Sequence, residues 1–471
     1  MKNLIKLVIL LFTSATFAQA GHLMAGIGSV NSSMGGAATA QPIDISGALQ
    51  WNPASISAFD SKILNIDIGM FFASPELSSM IPENMMYSGS PEVSGVTTDD
   101  KGASPMPALA MVWGKPDSKL TFGASVFGVS GFGVDFAAET NLPVDGSGNP
   151  NPNWDPTSSN PITYPQNMNG FGHVKSNYML MQIGFTVAYE LSDKFSIGFT
   201  PNFNYASLEI APNPTTAPSQ TLGYPESDAA STTGIGGQIG LFFDSGKGIK
   251  LGASYKTKQT LGDLEFKNTY LDGSAAPDNK FDMDFPAILS FGFGYSNDAI
   301  DFALDYRMVD YENTDGFAEE GWVIAEEGIY TGYPTGAVKG FGWKNMTIIS
   351  AGLQYKGIDK LPLRIGYTYS SNPIDEDLAF FSVSAPAVIE NAFQFGLTYK
   401  VNDNFKLNGV YHHGSSGDKT EGTLKDPRPA EFGAGPWDPV NNPLGTIPGT
   451  KVGYEMTTDL IMIGISYTFN K

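Results

Sequence analysis

The sequence predicts an all-β protein: a 14-stranded antiparallel transmembrane β-barrel with an N-terminal plug in its lumen. Three observations predict it. Apolar residues alternate with small or polar ones at period two in segment after segment. The joins between those segments alternate short and long. The first strand is preceded by a compact, nearly uncharged stretch, "SMGGAATAQPIDISGALQWNPAS".

Residues 1–20 come first. "MKNLIK" is basic, "LVILLFTSATFA" is apolar, and Ala18-Gln19-Ala20 is a small-x-small pattern, so a secretory signal peptide cut after Ala20 is expected. The apolar run is too short for a membrane anchor, and no later segment has 18 consecutive apolar residues. With no cysteine, a lipoprotein, disulfides and thiolate metal sites are excluded. Loss of Lys2 and Lys6 takes the formal charge from −21 to −23, and no basic cluster suggests nucleic acid. Few charges (16%), many aromatics (12%) and 54 glycines suit a large membrane barrel.

Residues 62–471 form the expected barrel. In "LIMIGISYTF", Ile461, Ile463, Ile465, Tyr467 and Phe469 share one face, while Met462, Gly464, Ser466 and Thr468 share the other. The same parity runs through Phe185–Tyr189, Leu289–Tyr295, Leu363–Tyr369 and Phe393–Tyr399. Strand windows fall near 62–72, 106–114, 118–130, 176–190, 194–210, 234–244, 249–268, 285–296, 299–312, 344–356, 361–371, 390–400, 405–414 and 456–469. The window 249–268 has the loosest boundary, and two short strands in place of one long one are its alternative. The joins "KPDS", "LSDK", "DSGKG", "SND", "GIDK" and "VNDN" alternate with joins of roughly 16 to 45 residues. Short periplasmic turns, long extracellular loops and an even strand number define an outer-membrane barrel, and in lipid the sheet must close.

A barrel of this size has a lumen wider than its own side chains fill. Residues 21–61 are expected to plug it: Ala and Gly permit tight packing, and Asn52-Pro53 marks a turn or a helix start.

Gly26 to Ala37 (G-x-G-S-x-x-x-S-M-G-G-A), Asp44, Ala48, then Asn52-Pro53-Ala54 and Phe59 closely resemble the FadL/TodX family of outer-membrane transporters of hydrophobic compounds. "GLFFDSGKGIKLGASYKTK", "FPAILSFGFGYS", "FALDYRMVDY" and "LPLRIGYTYSSNPI" resemble its successive strand pairs. The resemblance implies a barrel closed by a hatch, capture of a substrate on the extracellular side, a change in the extreme N-terminus, and sideways exit at a kinked third strand. Gly35, Gly36, Ala37, Asn52, Pro53 and Ala54 carry over as hatch and substrate residues. Gly128, Gly131 and Gly133 end the third strand and read either as the kink, and so a lateral gate, or as the start of a long loop.

The expected function is therefore passive, gated uptake of long-chain fatty acids or other hydrophobic small molecules, with lateral exit. The alternative is a structural or surface-binding barrel, an adhesin or receptor, acting through its long acidic loops. Expected partners are hydrophobic small molecules, outer-membrane lipid and lipopolysaccharide, with the protein a monomer in the outer membrane of a Gram-negative-type bacterium. No cofactor is implied, and neither a metal nor a catalytic site. "DGSGNPNPNWD" (145–155) spaces oxygens like a calcium loop, but Pro156 stands where the bidentate Glu belongs. His412 and His413 face opposite sides of a strand, so they cannot serve one hydrolytic site. Asp301, Asp305, Arg307, Arg364, Lys400 and Lys406 have lumen parity; they are expected to wet the interior and pair with the hatch or with neighbouring acids, the alternative being that Arg or Lys here meets a carboxylate head group.

Overall fold

The structure, a computed structural model, describes residues 19–469. The expected signal peptide lies almost entirely outside the described residues. Fourteen antiparallel strands form the barrel: β1 (Lys62–Ile81), β2 (Ala103–Trp113), β3 (Leu120–Phe136), β4 (Val174–Ser192), β5 (Phe195–Ala211), β6 (Ala230–Asp244), β7 (Ile249–Lys256), β8 (Ala287–Ser296), β9 (Ile300–Asp310), β10 (Met346–Tyr355), β11 (Leu363–Ser370), β12 (Asn391–Lys400), β13 (Phe405–Ser415) and β14 (Lys451–Thr468). Each pairs with the next, and β14 closes on β1 from Lys451↔Met80 to Thr468↔Ile63. No helix among the described residues is long and apolar enough to cross a membrane.

The period-two pattern sorts the two faces. Ile461 and Ile463 are 56% and 63% exposed on the outer wall, whereas Leu460 and Met462 are buried inward. Six even-numbered strands end near the short turns with an exposed outward aromatic: Trp113, Tyr189, Tyr295, Tyr355, Tyr399 and Tyr467. That is one interfacial girdle of a membrane barrel. The short turns beside it mark the periplasmic side, since the long loops of such barrels are extracellular.

Several strands differ from their windows. β7 stops at Lys256, and the remainder of 249–268 breaks into Thr260–Leu261, which still pairs with β6, and Leu264–Phe266, which pairs with Asn279–Phe281. β1 and β14 run on to Ile81 and back to Lys451, beyond the alternating stretch, and pair along their whole length. These extensions stand above the membrane, where no single apolar medium enforces alternation.

The wall has one local departure between β2 and β3. Their ladder runs only from Trp113↔Phe122 to Ala108↔Phe127. Above it, β2 carries Pro105 and Pro107. The Gly114 N–H bonds back to Ser61, and alternate residues bond to alternate neighbours, so even-numbered β2 residues face β1 and odd-numbered ones face β3. The two prolines thus remove donors from the β3 side. Across from them β3 is bulged: its pairing with β4 shifts between Gly128↔Met181 and Ser130↔Leu180, which leaves Val129 as the extra residue. The wall closes again higher up, where Asp99 bridges Phe136.

Candidate functional site: hatch, aromatic chamber and the gap at strand three

Residues 21–58 lie in the lumen and are almost all buried. Helix α1 (Ser29–Ser32) is followed by two glycines with positive φ, Gly35 (66°) and Gly36 (78°). A Cβ on Gly36 would overlap the Ala25 carbonyl, so only glycine fits this turn. The turn is fastened to the wall: Thr368 Oγ1 donates to the Gly35 carbonyl at 2.9 Å and Arg307 to the Gly36 carbonyl at 2.7 Å. Ala37 is buried beside it. The Asp305 carboxylate accepts from the Ala38 and Thr39 N–H groups (2.8 and 2.9 Å) and from Thr39 Oγ1. It also pairs with Arg307, whose guanidinium carbon lies 3.7 Å from the Trp51 ring centroid.

Helix α2 (Ile45–Trp51) starts at Asp44, which accepts from the Ser46 and Gly47 N–H groups. Burial and the Asp67 charge push Asp44 up to about 7, against the pull of those N–H groups and of Arg364. At the other end, Asn52 is used completely. Its Oδ1 accepts the Ala54 N–H, and its Nδ2 donates to Thr39 (2.7 Å) and to Leu241 of the wall (2.9 Å). Pro53 opens the 3₁₀ helix Pro53–Ala58, and Ala54 packs with no exposed surface against Gly198 of β5.

The wall meets this hatch with glycines. Added Cβ atoms on Gly198, Gly240, Gly252, Gly352, Gly366 and Gly396 would each collide with a hatch atom. Six strands thus present bare backbone where the hatch backbone approaches. Sequence reasoning missed this seat, although Gly366 and Gly396 already stood on the lumen-facing parity. Asp305→Ala should loosen the hatch by about 3–5 kcal/mol, because it leaves Arg307 and three hatch donors buried without their acceptor. The expected readout in planar bilayers is frequent ion-conducting openings from an otherwise folded barrel.

On the extracellular side of the hatch, Leu23–Met24 forms a two-residue strand in the gap. Leu23 pairs with Ser130, and the His22 carbonyl accepts from the Gly131 N–H at 3.0 Å and from Ser130 Oγ at 3.0 Å. The N-terminal segment therefore covers, from inside, the stretch of β3 that β2 abandons. Behind it lies a packed chamber of rings, filled by their own side chains and by His22. His22 stacks on Phe317 (4.6 Å between centroids) and touches Tyr178, Phe285, Tyr311 and Trp343. Phe132 of β3 stacks on Tyr178 at 4.9 Å and meets Phe341 edge-on, so the chamber reaches the wall at the bulge. Burial lowers His22 to about 3, so its ring is neutral, and Nδ1 bonds the Tyr311 hydroxyl at 2.7 Å.

Gly128, Gly131 and Gly133 all sit inside β3 rather than in the loop after it. None has positive φ. Gly128 immediately precedes the bulge and Gly131 donates to the N-terminal segment. Gly133 leaves room for the Lys101 ammonium, which crosses to the Ser176 carbonyl at 2.6 Å. The two prolines opposite were missed, though an i, i+2 pair at the start of a strand window is a visible signal.

The remaining sequence candidates divide as follows. Asp301, Asp305, Arg307 and Arg364 are buried on the lumen side, and Lys400 and Lys406 line a cavity beneath the hatch. In loop 145–155, Asp145 Oδ1 is taken by the Ser147 and Asn149 N–H groups, both at 2.9 Å. No group of three or more His, Cys, Asp or Glu fit to hold a metal occurs among the described residues. His412 bonds Gln394 inside the barrel at 3.0 Å, and His413 bonds Asp459 outside at 3.0 Å.

The family described as outer membrane protein transport protein (OMPP1/FadL/TodX) matches residues 164–424, more than half of the chain. The chain belongs to this family. FadL/TodX proteins are transport proteins of the outer membrane, and this one is placed there too. Among solved structures, a Pseudomonas aeruginosa FadL homologue is similar with a TM-score of 0.65 at 13% identity, covering 96% of this chain and 100% of that one. The Pseudomonas putida toluene transporter TodX follows at 0.61 and 16%, covering 96% and 100%. The Ralstonia pickettii toluene transporter TbuX gives 0.58 and 16%, covering 95% and 99%. At these identities the likeness is one of fold. No curated protein sequence matches the chain.

Proposed function

We propose that this FadL/TodX-family barrel is a passive, gated uptake path for hydrophobic small molecules, long-chain fatty acids or aromatic hydrocarbons, with exit sideways into the membrane. The observation that carries the reading is the pairing of Leu23 with Ser130 at the bulge, in front of an aromatic chamber that reaches the same place. A molecule rich in apolar surface gains about 25 cal/mol for each Å² it buries. In the chamber it competes with His22–Met24 for the same rings. Displacing that segment uncovers the edge of β3 between Pro105–Pro107 and Gly128–Gly133, and the molecule passes into the bilayer without entering water. The gradient suffices to drive it. The Gly35–Ala37 turn and Asn52-Pro53-Ala54 stay seated and keep ions out. The protein acts as a monomer whose outer wall contacts lipid and lipopolysaccharide.

An apolar ring cluster at the third strand, with the N-terminal segment lodged in it, supports transport over the surface-binding alternative, which needs only a filled lumen under acidic loops. The test is accumulation of labelled oleate and of labelled toluene by cells that lack their own path for each. Saturable accumulation that requires the protein, and no energy source, is the expected result. If neither compound accumulates, the loops become the place to look for function.

A further inference from the structure

Beneath the hatch, at the periplasmic end, a cavity of about 310 Å³ lies between the hatch and the wall, at the lower end of the size of ligand pockets. One side is apolar, with Ile43 and Phe59 of the hatch prominent in it; the other carries four cations, Lys356, Arg364, Lys400 and Lys406. Lys356 is paired with Asp301 at 2.9 Å. Arg364 is 3% exposed and fixed by Gln354 (2.8 Å) and Thr398. The Lys400 and Lys406 side chains make no ion pair or hydrogen bond among the described residues. They are also direct register partners across β12 and β13, where like charges repel and destabilise the sheet. Asp44 is the one carboxylate among the lining residues. In a chain with 48 acidic and 27 basic residues, an excess of cations facing one half-apolar cavity calls for an anion.

We propose that this cavity binds the anionic head of an amphiphile, a carboxylate on an apolar tail, entering from the periplasmic mouth. The carboxylate lies between Lys400 and Lys406 within reach of Arg364, and the tail lies against Ile43 and Phe59. The site is on the opposite side of the hatch from the aromatic chamber and does not depend on the uptake reading.

The experiment is calorimetric titration of the full-length protein in a non-ionic detergent with octanoate and with octanol, for the wild type and for K400Q/K406Q. The expected result is octanoate bound at least about tenfold more tightly than octanol, as bonds to charged groups provide. That preference weakens in salt and falls close to one in the double variant. Equal binding of the two probes by the wild type overturns the proposal. So does a preference that survives in the double variant, which places octanoate elsewhere, the aromatic chamber included. Heat-modifiable migration on gels checks folding. If the double variant fails to fold, K406Q, which relieves the like-charge contact, carries the test: its octanoate preference is expected to fall, and an unchanged preference overturns the proposal.

Discussion

Removing residues 21–55 from the full-length protein is expected to turn a closed barrel into an ion-conducting pore. Fourteen strands enclose more space than their inward side chains fill, and here the difference is made up by the hatch. Its seat is a set of wall glycines, Gly198 to Gly396, together with the Asp305, Arg307 and Thr368 fastenings. Without the hatch those positions face open solvent. Single-channel conductance should rise at least about tenfold over the closed protein, since a lumen of this width passes hydrated ions. The barrel itself should survive, because the closing β14–β1 ladder and its neighbours do not run through the hatch. Planar-bilayer recording of both proteins measures this. An unchanged low conductance after deletion would mean that the extracellular loops, not the hatch, close the lumen.

Deleting Val129 is the second change with a large expected effect, this time on uptake rather than on leak. Val129 is the residue that β3 has and β4 does not match. Its removal restores a regular ladder, straightens β3 and moves its edge toward β2. The segment then pairing with Leu23 loses the offset that presents Ser130 and Gly131 to the N-terminus. Uptake of the accumulated compound should fall by about tenfold or more, as expected when a gating step is blocked. The glycine seat from Gly198 to Gly396 and the Asp305, Arg307 and Thr368 fastenings lie on other strands, so ion tightness should be kept. Loss of both uptake and tightness together would instead mark a folding defect.

The barrel was legible because lipid imposes a single rule on every spanning strand. Ile461, Ile463 and Tyr467 announce their strand, and the six short joins fix the pairing of neighbours. The extensions of β1 through "SPELSSMI" and of β14 from Lys451 were not legible, since above the membrane both faces meet water or loops and alternation fades. For the same reason 249–268 broke after Lys256. The hatch could be placed from its Gly, Ala and Asn-Pro-Ala content. Its fastenings could not, because they join residues such as Gly36 and Arg307 that are 271 positions apart. At the third strand the glycines drew attention, but glycine serves kinks, close approaches and loop starts alike. Pro105 and Pro107 carry the clearer signal, since a missing N–H has one structural meaning in a ladder. The chamber rings Phe317, Phe341 and Trp343 come from an extracellular join without periodicity, and nothing local marks them as facing His22.

The most direct test of lateral exit closes the gap reversibly. The chain has no cysteine, so Pro105→Cys with Gly131→Cys introduces the only two thiols. They are joined by a short, thiol-cleavable crosslinker, and uptake of the same labelled compound is measured before linking, after linking and after cleavage. Exit between β2 and β3 predicts that linking abolishes uptake and cleavage restores it, with ion tightness unchanged throughout. Uptake that proceeds undiminished in the linked protein would contradict the account and send the substrate through the lumen instead.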